Sequence, residues 1–122
     1  MTDANPNASE AALNDTFRAG VPYINAGPAG VPGRTVVTCG IDDLAPDLQA
    51  RILVAVRDFT EFSEDNDPCR TRDFGAFDMD GAGKIFWKID VYENADCEYG
   101  DQHPADPGRS YRVMTVMLAS EY

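Results

Sequence analysis

The chain reads as an α+β fold: an antiparallel-rich sheet of about four strands, one major helix (about 46–60) and one minor amino-terminal helix (about 8–19). Three observations predict it. Residues 73–91 alternate in hydropathy on either side of Asp80-Gly81, a strong turn signal, and so form a hairpin. Leu48, Ile52, Val56 and Phe59 recur at spacings of four, four and three, the stripe of a helix lying on a sheet. The segment SYRVMTVMLASEY, residues 110–122, is apolar on both alternating sets, Val113, Thr115, Met117 and Ala119 against Met114, Val116 and Leu118. Such a strand belongs in the middle of a sheet covered on both faces.

A length of 122 residues suits a single domain, 1–122, with a core that needs neither disulfide nor metal. Hydrophobic content of 43% and aromatic content of 10% argue against disorder for most of it. No apolar run approaches the roughly 18 residues of a membrane helix. The opening MTDANPNASEAA lacks the basic and apolar regions of a signal peptide. A cytoplasmic protein without membrane partners is expected, with residues 1–7 a flexible terminus.

The elements follow in order. Asn7 with Glu10 resembles a capping box, Leu13 and Phe17 share a helical face, and Gly20 offers a stop. Residues 20–33, GVPYINAGPAGVPG, are a Gly/Pro-rich loop, with no G-K-[ST] to make it a phosphate loop. RTVVTCG, residues 34–40, is β-branched and reads as a short strand. Pro46 suits the first turn of the major helix, with Asp42, Asp43 and Asp47 near its positive end.

In the hairpin, a two-residue loop at Asp80-Gly81 or Gly81-Ala82 puts Phe74 and Ala76 on the face of Ile85, Trp87 and Ile89. The first choice also sets Asp73 opposite Lys88 and Gly75 opposite Phe86. The other face then carries Phe77, Met79, Phe86, Lys88 and Asp90, and its apolar half asks for cover from the amino-terminal helix. Residues 93–109 are turn-rich loop.

Charge narrows function more than motifs do. Net charge is −11; residues 58–106 hold fourteen acids against four bases, while residues 1–57 hold six against four. So acidic a segment repels phosphate, which disfavours direct nucleic-acid binding. Cys39, Cys69 and Cys97 are odd in number and widely spaced, as reduced thiols are. With His103 they lack the close ligand pairs of a zinc site. Around Gly81 a calcium loop would need a ligand at Ala76 and a bidentate Glu at Trp87, and has neither. His103, the one histidine, precedes Pro104 in a loop, and no G-x-S-x-G surrounds a serine. No cofactor, metal or catalytic residue is therefore assigned.

The best polar constellation is Asp65, Asn66, Asp67, Arg72, Asp73, Lys88 and Asp90, the candidate binding residues. Three readings compete. One is a non-catalytic module that binds a protein partner through the acidic hairpin and its aromatics. The second is a nucleic-acid mimic, in which Asp78 with Asp80, or Asp96 with Glu98, stand at roughly phosphate spacing, about twice the 3.4 Å rise of a strand. The third is an enzyme built on Asp65, Asp67, Asp73, Lys88 and Asp90, with or without the help of a metal ion. Composition leaves the oligomeric state open.

The strings DNDP (65–68), DFGAF (73–77), FWKIDVY (86–92), DP (106–107) and RVMTVMLASEY (112–122) resemble a bacterial family catalogued as domain of unknown function 3768. LNDTFR (13–18), VVTCGI (36–41), Leu44 and VRDF (56–59) extend the resemblance to nearly the whole chain from residue 13. It implies a small single-domain protein of alphaproteobacteria and their plasmids, with no activity to carry over. The resemblance implies E-H-D-F-G where this chain has Thr71-Arg72-Asp73-Phe74-Gly75, so Arg72 stands in place of a histidine. A catalytic role for that histidine in relatives would make this member different. Residues 20–33 are longer than the family pattern, and His103 and the cysteines match none of its motif positions.

Overall fold

In the computed structural model the elements run α1 (Ala8–Arg18), β1 (Gly33–Val37), α2 (Cys39–Asp42), α3 (Pro46–Arg57), β2 (Phe74–Met79), β3 (Gly83–Tyr92) and β4 (Tyr111–Leu118). A 3-10 turn, Ala119–Glu121, follows β4. The structure describes residues 7–20, 31–94, 96–97, 100, 104–107 and 110–122. The predicted flexible terminus, most of the 20–33 loop, Glu98 and His103 lie outside the described residues.

One four-stranded sheet has the order β1-β4-β3-β2. β1 pairs parallel with β4, and the β3–β4 and β2–β3 pairs are antiparallel. The fold is thus α+β, its sheet mostly antiparallel with one parallel pair. β4 is central, as its double apolar set requires.

The hairpin register departs from expectation. Its loop has three residues, Asp80, Gly81 and Ala82, and Met79 pairs with Gly83. The Ala82 N–H returns to the Met79 carbonyl at 3.0 Å, with Gly81 at φ 91 in the third position of that turn. Gly83, at φ 85, opens β3. Left-handed backbone at both places suits glycine, and the pair outweighs the bare Asp-Gly signal for a two-residue loop. Every residue of β2 is therefore shifted by one against the predicted pairing. Gly75 faces Trp87, Phe77 faces Ile85, and Lys88 stands opposite Phe74 rather than Asp73.

This correction reassigns the faces. Gly75, Phe77 and Met79 join Ile85, Trp87, Ile89, Met114 and Val116, and Phe74 and Ala76 go to the other side. The first face is the core. It buries Phe17 of α1, Ile41 of α2, and Leu48, Ile52, Leu53 and Val56 of α3, followed by Phe59. Each fully buried side chain of this kind contributes about 1.5–3 kcal/mol. All three helices pack on this one face. The expected cover of the opposite face by the amino-terminal helix does not occur, because α1 is held on the core side by two buried polar locks.

The first lock is Arg112, fully buried. Its Nε donates to Asn14 Oδ1 at 2.6 Å, Nη1 to Ser110 Oγ at 3.0 Å, and Nη2 to the Pro104 carbonyl. Asn14, fully buried itself, passes its Nδ2 to the Thr71 carbonyl at 2.9 Å. Hydrogen bonding on every side is what lets a guanidinium sit inside at tolerable cost. The second lock is Arg18, described below. Asn7 makes no side-chain cap; its Nδ2 reaches the Cys69 carbonyl at 2.7 Å instead. The predicted strand 34–40 stops at Val37, where Thr38 begins the four-residue α2, too short to leave a periodic signal. Gln49 ties α2 to α3, donating to the carbonyls of Asp42 and Leu44 at 2.9 and 2.8 Å.

Gly75 is where side-chain size and register meet. A Cβ there would stand 2.3 Å from Trp87 Nε1 and 2.5 Å from its Cε2, inside a buried ring that cannot move aside. Gly75→Ala is expected to lower stability by about 1–3 kcal/mol through overpacking, measured by urea unfolding. An unchanged midpoint and slope would mean that the indole does not lie on this residue.

Candidate functional site

Three places carry the side chains nominated from sequence, and the sheet separates them. The first is the loop from Glu61 to Asp73. Asn66, nominated as a binding residue, makes turn bonds: it accepts the Ser63 N–H at 2.7 Å and donates Nδ2 to the Glu61 carbonyl at 2.8 Å. Asp67 is buried, and its Oδ1 accepts the N–H groups of Thr71 and Arg72 at 3.2 and 3.1 Å. Asp65 is exposed on the turn. These bonds hold Arg70 and Arg72 at φ 56 and 55, left-handed backbone that is rare for long side chains.

Arg72 reaches back to α1, its Nη1 on Asp15 Oδ2 at 2.8 Å, with its guanidinium 5.0 Å from the Phe62 ring. Asp15 also takes Arg18 Nη2 on its other oxygen at 3.0 Å. Arg18 is the second lock. Its Nη1 donates to the carbonyls of Val56, Arg57 and Phe59 at 2.9, 3.1 and 2.7 Å, so a cation closes the negative end of α3. The same guanidinium lies 4.9 Å from the Trp87 ring. Burial pulls its pKa down, and the hydrogen bond to Asp15 opposes that. Phe62, Ser63, Glu64, Asp67, Arg70 and Arg72 line an open cavity of about 340 Å3. All of this lies on the helix side. Asp15 and Asp67 serve named partners, while Arg18 Nε has no acceptor among the described residues, and the set reads as architecture that fixes the loop.

The second place is the opposite face of the sheet. Lys88 Nζ pairs with Asp90 Oδ2 at 3.0 Å, a bond that raises the Lys88 pKa. Lys84 and Asp78 pair at 3.7 Å. Asp73 contributes its backbone, the carbonyl accepting the Ile89 N–H at 2.8 Å. Asp67 and Arg72 are thus brought together on one side, and Lys88 and Asp90 on the other. The seven nominated residues form no single pocket.

What the second face does hold is aromatic. Phe74, Phe86 and Tyr122 form a triangle with ring centroids 5.3, 6.0 and 5.5 Å apart. Ala76, Val113, Met117 and Val36 continue it across β2, β4 and β1, and Arg34 stacks over Tyr111 at 5.8 Å at its far side. No helix of the described residues lies over this face. Tyr122 is 76% exposed and Val36 37% exposed. The sequence concealed the triangle because its three members come from two strands in an unexpected register and from a residue past the last strand.

Glu121 delivers Tyr122 to that face. Its Oε1 accepts the Thr38 hydroxyl at 2.6 Å and the Leu118 N–H at 3.0 Å, and its Oε2 accepts the Gly40 N–H at 3.0 Å. The carboxylate therefore folds the 3-10 turn and holds it against the start of α2.

Thr38 and the two backbone donors pull the Glu121 pKa below its ordinary value of 4.5. A depressed folded-state value means stability that is complete above the unfolded value and lost as pH falls through the folded one. Thermal melting from pH 6 down to pH 2 should show a loss setting in below about 4.5, part of which disappears in Glu121→Gln. Identical pH profiles for the two proteins would contradict the role given to this carboxylate.

Among the described residues no group of three or more His, Cys, Asp or Glu side chains is placed to hold a metal ion, and no helix is long and apolar enough to cross a membrane. The comparisons with known proteins return no match among curated proteins and none among solved structures. Residues 37–121 match a family described as Protein of unknown function (DUF3768), a span that takes in α2, α3 and β2 to β4 and leaves LNDTFR outside. The chain belongs to the DUF3768 family.

Proposed function

We propose that the protein is a non-catalytic interaction module that docks a protein partner on the open aromatic face of its sheet. The observation that carries this reading is the Phe74–Phe86–Tyr122 triangle, half-buried at Phe74 and Phe86 and exposed at Tyr122, which lies over the buried Met117 and is continued by Val113 and Val36 on a face that the helices leave uncovered. Contiguous apolar surface of this kind on a small soluble domain marks an interaction site more often than chance exposure does. Aromatic side chains are the common anchors of such sites. The net charge of −11 favours a partner with basic residues around an apolar centre.

The geometry supports the nucleic-acid mimic less well. Asp78 is matched by Lys84, and Asp80 sits in the turn rather than on the strand, so the hairpin offers no row of strand-spaced free carboxylates. The carboxylate-enzyme reading needs Asp65, Asp67, Asp73, Lys88 and Asp90 in one cleft, and they fall on two sides of the sheet.

Phe86→Glu places a charge at the middle of the triangle without touching the core. A protein retained by the wild type from native lysate at low salt should be lost with this variant, while the chain stays folded at a cost of about 1–3 kcal/mol for the two lost ring contacts. Equal capture by both would exclude the face as the docking surface.

A further inference from the structure

The outer edge of the sheet at β2 has a groove beside it that the open-face reading does not use. The bond from the Ile89 N–H to the Asp73 carbonyl, at 2.8 Å, joins directly opposed residues and so sets the phase of the β2–β3 ladder. In an antiparallel pair such hydrogen-bonded positions alternate with non-bonded ones. Gly75, Phe77 and Met79 accordingly direct their backbone at β3. Phe74, Ala76 and Asp78 direct theirs outward, away from the sheet. β2 is the last strand in the order, and no other strand of the described residues pairs with that row.

A row of outward N–H and C=O groups is a template for another strand, which proteins usually blunt or cover. Here it borders a groove of about 530 Å3, lined by β2 from Ala76 to Met79 on one side and by Ala55 and the segment 58–61 on the other. The floor offers Phe59, Phe77, Met79 and Ala55. The rim offers Asp58, Glu61 and Asp78, with Arg57 paired to Asp58 and Lys84 to Asp78, which leaves it acidic by one charge. An extended chain laid there would turn alternate side chains into the apolar floor and the others to the opposite face, beside Ala76 and Asp78.

We propose that the groove binds an extended peptide segment of a partner protein, with alternating apolar and basic residues, added to β2 as a fifth strand. Main-chain bonds to Phe74, Ala76 and Asp78 supply the affinity common to such complexes, and the floor and rim supply the choice of sequence. The inference goes beyond the open-face reading and stands on the ladder phase and the groove alone.

The test uses the full chain and an end-capped octapeptide of alternating valine and lysine, followed by amide NMR titration and hydrogen exchange. Slowed exchange at Phe74, Ala76 and Asp78 is expected. N-methylation of the peptide amides that face β2 should weaken binding about tenfold or more, the equivalent of one or two net hydrogen bonds, and N-methylation of the alternate amides should not. A peptide of the same composition with the valines and lysines in separate blocks should bind at least about tenfold more weakly. Equal binding by the blocked peptide would reduce the contact to unspecific charge attraction and overturn the proposal. Loss of binding in Phe86→Glu would move the peptide to the aromatic face, overturning the edge site and supporting the other surface. Slowed exchange at β2 in the free protein, with sedimentation as a dimer, would give the edge to a second copy and equally overturn it.

Discussion

The fold hangs on an indole laid flat against a glycine. Trp87 is fully buried, and only Gly75 across the strand leaves room for its ring. On the ring's helix side come the Arg18 guanidinium and the edge-to-face rings of Phe59 and Phe62, with centroids 5.6 and 6.1 Å away. The Trp87 N–H has no hydrogen-bond acceptor among the described residues. Arg18 then connects this stack to the end of α3 through three carbonyls and to Arg72 through Asp15. Register, helix placement and the conformation of the 61–73 loop are consequences of one packing choice.

That choice also determines which chemistry reaches solvent. With Gly75 and Phe77 turned inward, Phe74 and Ala76 must turn outward, and the second face becomes aromatic rather than merely mixed. The polar residues around Asp67 are spent on holding their loop, and those around Lys88 neutralise one another. A protein of net charge −11 thereby presents an almost neutral, apolar-centred face, and surfaces of that kind suit recognition better than bond-making chemistry.

Much of this was legible in the sequence, and the failures have physical causes. The 3.6-residue stripe of α3 and the double apolar set of β4 gave the major helix and the central strand, because periodicity reports burial directly. Register escaped because two glycines, 81 and 83, both adopt left-handed backbone, and turn preferences alone do not rank a two-residue loop above a three-residue one. The uncovered face escaped because a strand apolar on both sides says that something covers each side, not that a helix of the same chain does. Arg18 and Arg112 escaped because arginines are surface residues in the ordinary case, and the carbonyls that accept them are invisible until the chain has folded. Asp67, nominated as a binding residue, organises its turn through the Thr71 and Arg72 N–H groups, and Asp65 and Asp90, nominated by composition, have separate surroundings.

The pairing of β2 with β3 is therefore the statement on which the assignment of both surfaces rests. Cross-strand Hα–Hα nuclear Overhauser effects measure it directly, because non-hydrogen-bonded pairs bring those protons closest. The account predicts strong effects between Ala76 and Phe86 and between Phe74 and Lys88. Strong effects from Phe86 to Gly75, or from Lys88 to Asp73, would show the strands one residue out of step, exchange the two faces of β2, and contradict it.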